Sequence, residues 1–577
     1  MYLLGISCFY HDAAAALLKD GIIVAAAEEE RFTRKKHDNS FPVNAITFCL
    51  ANEKITIKDI DHICFYEKPL LKFDRLLSQH LEKFPFSYAQ FNHALPSWIT
   101  EKLRIPKIVK KKLGHPKDAF FIEHHMAHTA SCFLVSPFKE AAICTVDGVG
   151  EWATTTLGHG KETDIKIFKE LHFPHSLGLL YSTVTAHLGF TVNNAEYKVM
   201  GLAAYGKPTY YEELRKIIDI KDDGSYALNM RYFDYHYKLH MPSKKFVGLF
   251  GPQRNKNEPV EQQHKDLAAS LQKITEEVLF KMLNHLYHET KTTNLCMAGG
   301  VALNSVANGK ITKNTPFKKI FIQPAASDAG ASIGAASYVY HTLLKFKRNF
   351  VMNHAYLGPS YTTEEIKKYL DENNIKYTRF KNEKETITAT AQLIHNNKII
   401  GWFQDRMEFG PRALGARSIL SNPCNPQMKE ILNQKVKHRE EFRPFAPVIT
   451  AENVHDWFDI DKDEEPFMLF VYPIKKEKRI IIPAVTHVDG TGRLQTITKQ
   501  QNARYYSVIK AFEKLSGVPI LINTSFNIRG EPIVCTPHDA YRCMMGTGID
   551  CLVMGDFLIK RADNPKDMWD SEALAAD

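Results

Sequence analysis

His124 and His128, four residues apart in the run IEHHMAHTASC at 122–132, are where the chain first offers chemistry. On a helix that spacing stacks both imidazoles on one face, a turn apart, and turns His125 away from them. Two imidazoles so placed can hold one transition-metal ion when the fold supplies further donors. Ala127, Thr129, Ala130 and Ser131 are small and let another element come close. Two acids stand in glycine-rich turns, Asp147 in TVDGVGEW and Asp328 in PAASDAGASIG, and neither has an opposite charge near it in sequence. A chain with 25 histidines also produces this spacing by chance, so two ordinary part-buried histidines are the competing reading.

Further along, EYKVMGLAAYG at 196–206 combines glycine and alanine, which permit close backbone approach, with Lys198, a cation able to meet a phosphate. NLCMAGGVALNSVAN at 294–308 reads as a strand running into Gly299-Gly300 and then a helix, a junction at which backbone amides can approach a nucleotide. IFIQPAASDAGASIGAA at 320–336 repeats the strand, loop and small-residue helix. In EFGPRALGARSIL at 408–420, the glycines with Arg412 and Arg417 suggest a loop that grips an anion. More basic groups follow in KVKHREEFRPFAP at 435–447. VPILINTSFNIRGEPIV at 518–534 is a strand ending in Asn523, Thr524, Ser525, Phe526 and Asn527, then Arg529-Gly530. Polar groups at a strand's end can read a small planar group such as a carboxamide.

The elements that must position these groups are legible as patterns. Residues 2–7, 14–18 and 22–27 read as three strands, the last two joined by a tight turn at Lys19-Asp20-Gly21. Residues 28–32 read as a helix entry. Residues 141–157 repeat the unit: a strand, a tip carrying an acid and glycine, a second strand. Such duplicated hairpins are what the two lobes of an actin/sugar-kinase ATPase fold would show, with unrelated hairpins as the alternative. Leu267, Leu271, Ile274, Val278 and Met282 recur at helical spacing and predict a core-facing helix over 266–283. Residues 68–113 are aromatic and basic with helical spacing, and KIVKKK at 107–112 reads as a solvated face. The periodic pattern breaks near 345–359, placing the domain boundary at 350 and two α/β domains at 1–350 and 351–577. The tail from Asn564 is unpatterned and expected to be mobile.

Composition bounds the rest. At 577 residues, 44% hydrophobic and 24% charged, the chain is that of a globular protein with more than one core. Its first residues have no basic lead and contain His11 and Asp12, so neither signal peptide nor membrane span is expected. Ten scattered cysteines without a CxxC pair fit reduced thiols and a cytoplasmic setting. The net charge of +9 serves phosphorylated small molecules as readily as nucleic acid.

Taken together, YHDAAAAL, EEERFTRKKHD, EHHMAH, VDGVGEW, EYKVMGLAAYG, GGVALN, SDAGASIGAA, GPRALGARSIL, FRPFAP and NTSFNIRGEPIV resemble the O-carbamoyltransferases that act on nodulation factors and antibiotics. The resemblance runs over nearly the whole chain in order; residues 68–113 are the stretch it does not align. It implies a duplicated actin-fold (ASKHA) first domain, like that of the tRNA threonylcarbamoyl transferases, whose DLAASLQ motif is matched at 266–272. It implies a second α/β domain related to threonylcarbamoyl-AMP synthases (YrdC-like). The implied reaction has two steps: carbamoyl phosphate and ATP give carbamoyl-AMP with release of pyrophosphate and phosphate, and the carbamoyl group then passes to the hydroxyl of a small-molecule acceptor. Arg412, Arg417, Arg443 and Arg529 would hold the phosphates, and Asn523, Ser525 and Asn527 the carbamoyl end. His124, His128, Asp147 and Asp328 would hold a divalent metal, iron by resemblance and zinc or manganese by ligand type, with Mg2+ accompanying ATP. Lys198, Gly299, Gly300 and Asn304 would line the nucleotide. His11, paired with Asp12 at the first hairpin tip, is the candidate general base. Neither a nucleic-acid nor a membrane partner is expected, and the sequence permits a homodimer. The competing functions are a tRNA threonylcarbamoyl transferase and a non-catalytic ATP-binding sensor on the actin fold.

Overall fold

The structure, a computed structural model, describes residues 1–115 and 117–564, so all of the tail read as mobile except Asn564 lies outside the described residues. It divides into two compact units. The first comprises Met1–Glu29 and Asn39–Met352; the second comprises Glu30–Asp38 with the chain from Asn353 onward. A single cut at 350 therefore misses that Glu30–Asp38 goes with the second unit. There Arg31 donates to the Gly410 carbonyl at 2.9 Å, and Arg34 to the carbonyls of Pro532 and Ile533 at 2.7 Å each.

In the first unit β1 (Tyr2–Ser7), β2 (Ala14–Lys19), β3 (Ile22–Glu28), β4 (His62–Phe65) and β5 (Phe120–Phe121) form a sheet of order β3-β2-β1-β4-β5. β1 pairs antiparallel with β2 and parallel with β4. A second sheet repeats the plan with β6 (Glu140–Val146), β7 (Ala153–Lys161) and β8 (Asp164–His172). A small hairpin of β9 (Ile218–Ile220) and β10 (Tyr226–Leu228) intervenes before β11 (Asn294–Ala298) and β12 (Lys319–Ile322) complete that sheet. Its order is β12-β11-β6-β7-β8, with β6 antiparallel to β7 and parallel to β11. The same strand plan twice is the duplication the paired hairpins predicted, and the α/β actin-like architecture follows from it. The helix predicted over 266–283 spans Gln262–Thr290 and buries all five of its periodic apolar residues.

The second unit is built on one mixed nine-stranded sheet. Its strands are β13 (Thr378–Arg379), β14 (Ile400–Phe403), β15 (Arg417–Ser421), β16 (Ala446–Thr450), β17 (Phe470–Pro473), β18 (Thr491–Ile497), β19 (Ile520–Ser525), β20 (Cys551–Met554) and β21 (Phe557–Lys560). The order is β13-β21-β20-β14-β15-β19-β16-β18-β17, which puts β19, the strand carrying the Asn-Thr-Ser terminus, inside the sheet next to its central strand β15. All ten cysteines are free thiols. No helix among the described residues is long and apolar enough to cross a membrane.

Candidate active site

His124 and His128 sit on the helix His124–Phe133, whose first turn is held by a residue of the VDGVGEW loop: both carboxylate oxygens of Glu151 accept from the His124 amide at 3.1 Å. Asp328 opens the helix Asp328–Ser337, where its charge suits the exposed amides of a helix start. The small residues that mark both helices are what let them touch. A Cβ on Gly334 would stand 1.8 Å from the Ala127 carbonyl oxygen, so no larger residue fits there at this spacing. Asp147 follows β6, and its Oδ1 accepts from the Gly300 amide at 2.9 Å. Gly299 reaches that position with φ +91°, and a Cβ there would lie 2.3 Å from the Val146 carbonyl oxygen. The glycine pair read as a nucleotide loop thus aims Asp147.

The result is a cluster of four donors that lie within 4.8 Å of one another. His124 Nε2 is 3.1 Å from Asp147 Oδ2 and 3.7 Å from Asp328 Oδ1. The corresponding distances for His128 Nε2 are 3.6 and 3.5 Å, and the two Nε2 atoms are 3.1 Å apart. Both histidines are fully buried. Burial opposes charge on His128, but the two aspartates override it and hold its pKa up to about 9. Burial likewise raises the Asp147 carboxyl, and the hydrogen bonds from His124 and His128 outweigh it, holding the group well below the usual carboxylate range. With the Nε2 atoms facing each other, only one can point a proton at the other. Among the described residues, the Nδ1 atoms of both rings and Asp328 Oδ2 have no hydrogen-bond partner. Two facing imidazoles, the buried carboxylate of Asp328 and the part-buried one of Asp147, short of donors among themselves, fit a divalent cation held by nitrogen and oxygen.

His11 lies at the tip between β1 and β2. Its Nδ1 is 2.9 Å from Asp12 Oδ2 and its Nε2 is 2.5 Å from the Asn193 carbonyl oxygen. Asn193 has φ +62° and is fixed by Glu196, whose Oε1 accepts from the Asn193 amide at 2.9 Å and the Ser182 hydroxyl at 2.8 Å. Burial lowers the His11 pKa, but the hydrogen bond and charge of Asp12 prevail and raise it to about 10. Acceptors on both ring nitrogens make the imidazolium its resting form.

Of the residues expected to line a nucleotide, only Gly299 and Gly300 are brought to the four-donor cluster. Asn304 caps the short helix Ser305–Asn308 through the Ala307 amide at 3.1 Å and exchanges amide hydrogen bonds with Gln272 at 3.0 and 3.1 Å. Its side chain is spent on the fold. Lys198 is buried on the helix Glu196–Leu202, with Nζ 5.8 Å from the Phe190 ring centre.

In the second unit the structure corrects two assignments. Arg417 does not face a ligand: it is fully buried against the Phe403 ring, and its terminal nitrogens donate to the carbonyls of Gln404, Asp405, Ala416 and Pro359 at 2.6 to 3.3 Å. The GPRALGAR loop does wrap an anion, but an internal one. Glu408 Oε1 accepts from the amides of Leu414 and Ala416 at 2.7 Å and of Arg417 at 3.3 Å. Asn523 is also structural, being buried and donating to the Ala413 carbonyl at 3.0 Å and Gln495 Oε1 at 2.6 Å.

What gathers at the end of β19 is different. Lys437, unremarked within KVKHREEF, is a buried lysine whose ammonium meets the carbonyl and hydroxyl oxygens of Ser525 and both oxygens of Asn527, the latter at 2.9 Å. Burial pushes its pKa well below the usual lysine value, and Arg439 and Arg443 push it further. The Ser525 hydroxyl donates to Asn527 Oδ1 at 2.6 Å, and Asn527 Nδ2 to the Glu531 carbonyl at 2.7 Å. Arg443 and Arg529 approach the same carboxylate, Glu440, at 3.8 and 3.7 Å. Arg412, in the GPRALGAR loop, is part-exposed. The signal that could have found Lys437 is its place in a basic run preceding a strand of the sheet that holds the Asn-Ser-Asn terminus.

The family model described as carbamoyltransferase N-terminus matches residues 2–337, and that described as carbamoyltransferase C-terminus matches 391–561. An uncharacterised protein of Synechocystis sp. is 46% identical, over 98% of this chain and 97% of its own. The nodulation protein NolNO of Sinorhizobium fredii is 37% identical, over 98% of this chain and 81% of its own. Among solved structures, component A of the (R)-2-hydroxyglutaryl-CoA dehydratase of Acidaminococcus fermentans is 15% identical, with a TM-score of 0.34 over 60% of this chain and 100% of that one.

Proposed function

This chain belongs to the carbamoyltransferase family, and from that premise we propose that it is an ATP-dependent O-carbamoyltransferase whose two units carry two different chemistries. The observation that carries the reading is the contrast between the polar centres: histidines and aspartates in one unit, a lysine and arginines around an Asn-Ser turn in the other.

In the second unit, carbamoyl phosphate, water and ATP yield carbamoyl-AMP, pyrophosphate and phosphate. Both organic substrates are polyanions, so the site must supply fixed positive charge. Arg412, Arg443 and Arg529 do so as planar forks matched to phosphate oxygens. Glu440 keeps Arg443 and Arg529 oriented until substrate displaces it. Lys437 locks the Ser525–Asn527 turn, so that the hydroxyl and carboxamide there meet the carbamoyl end in a fixed geometry.

In the first unit the carbamoyl group passes to an acceptor hydroxyl, giving a carbamate ester and AMP. His124, His128, Asp147 and Asp328 would hold a divalent metal, iron being the family's expectation, which when bound would supply Lewis-acid charge neutralisation. Asp147 is aimed by Gly300, and Glu151 holds the start of the histidine helix. His11 takes the acceptor's proton. It can do so only after losing its own, because Asp12 and the Asn193 carbonyl both favour the imidazolium. The rate of product formation is therefore expected to rise with pH toward about 10, as the neutral fraction of His11 grows. His11→Asn should remove that rise; an unchanged profile in the variant excludes His11 as the base.

The test of the whole reading is a pyrophosphate assay on the wild-type protein. Release from ATP should require carbamoyl phosphate and should proceed with no acceptor present. Pyrophosphate release indifferent to carbamoyl phosphate ends the proposal.

A further inference from the structure

The helix Pro69–Lys83 is polar inward and apolar outward. Its buried face carries Lys72 and Arg75. Lys72 Nζ is 2.5 Å from Glu67 Oε2 and stands 4.1 Å over the Tyr10 ring. Arg75 donates to the Gly150 carbonyl at 2.9 Å, and Gln79 to the His236 carbonyl at 3.0 Å. These ties fix the helix to the first unit through polar groups, beside the Phe73 ring, whose centre is 5.5 Å from that of Trp98. Leu70, Leu77 and Leu81, spaced seven and four apart, share the opposite face, and they are 73, 38 and 68% exposed. The apolar surface continues through the turn that follows, where Phe84, Phe86 and Tyr88 are 62, 76 and 61% exposed. A helix that turns Lys72 and Arg75 inward and Leu70, Leu77 and Leu81 outward is not explained by the stability of this fold.

We propose that this segment docks the protein on an anionic lipid surface, with the apolar stripe entering the headgroup boundary and basic groups of the same segment meeting the headgroups. The charge of the segment selects this occupant. Residues 81–113 carry seven lysines and arginines against two glutamates, and the helix Ile105–Leu113 ends in Lys110, Lys111 and Lys112, which are all exposed. A second copy laid on the same face would bring two segments of the same net positive charge together, which repels. An anionic bilayer complements the basic groups while covering the apolar ones. Docking of this kind lies on the surface and requires no spanning helix. It runs against the expectation of no membrane partner drawn from the sequence, and it does not depend on the carbamoyl-transfer reading.

The test is co-sedimentation of the full chain with vesicles of phosphatidylcholine containing phosphatidylglycerol, against pure phosphatidylcholine, with light scattering for mass. The wild type should bind the anionic vesicles and release as salt is raised. Leu81→Gln/Phe86→Gln and Lys110→Glu/Lys111→Glu should each bind roughly tenfold or more weakly. All four positions are exposed, so unchanged melting temperatures will show that both variants are folded. Absence of binding by the wild type, or equal binding by either variant, overturns the proposal. So does a wild-type dimer that Leu81→Gln/Phe86→Gln converts to monomer, which would make the face an interface between copies.

Discussion

Alanine in place of Arg443 or Asn527 is expected to cut pyrophosphate release from ATP and carbamoyl phosphate by about a hundredfold or more, the worth of one well-placed charge-stabilising donor. Arg443 is one of the two guanidiniums facing Glu440, and Asn527 joins Lys437 to the Ser525 hydroxyl, so the two variants remove different halves of one centre. The loss should appear without any acceptor, because adenylate formation precedes transfer. His11→Asn supplies the contrast: it should leave pyrophosphate release at the wild-type rate while stopping formation of the carbamate ester. The measurement is a coupled pyrophosphate assay beside a product assay on the same three variants, with thermal midpoints to confirm folding. If Arg443→Ala and Asn527→Ala retain pyrophosphate release and lose only the product, the two chemistries are not divided as proposed.

How far such sites can be read from sequence depends on what each signal constrains. The His124–His128 spacing was legible because four residues on a helix fix a shared face whatever surrounds it. The duplicated sheets were legible because strand, turn and strand leave the same local pattern in both lobes. The GPRALGAR loop shows where legibility ends. Glycines and arginines beside one another announce a bound anion, and the amides do close on one, but Glu408 lies inside the same stretch and supplies it. Arg417 looks in sequence like any phosphate-binding arginine; only the fold shows that its guanidinium is taken up by four backbone carbonyls. Lys437 was hidden for the converse reason, since one lysine in a basic run carries no mark of being the buried one. The helix Pro69–Lys83 adds a further limit. Helical spacing gives the axis that separates a polar from an apolar face, not which of the two is covered, and here Lys72 and Arg75 are the covered ones.

The metal centre gives the other large expected effect. Purified wild type should contain close to one divalent metal ion per chain, and His124→Ala/His128→Ala close to none. Each histidine lies within 3.7 Å of both aspartates, so removing the pair leaves two close carboxylates with no nitrogen donor between them. Such a pair resists holding two negative charges at once and takes up a proton in place of the metal. A second readout separates loss of the ion from loss of the fold. A ligand that binds the native state alone stabilises it by about 2.7 kcal/mol at a free concentration a hundredfold above its Kd. A chelator should therefore lower the thermal midpoint of the wild type by several degrees and leave that of the double variant where it was. Asp147→Asn, which keeps the shape of the side chain and the contact with the Gly300 amide while removing the charge, should lie between the two. Equal metal content in wild type and double variant, or a chelator that shifts both midpoints alike, would show that the four side chains are a buried hydrogen-bonded cluster and that the metal, if the protein has one, is held elsewhere.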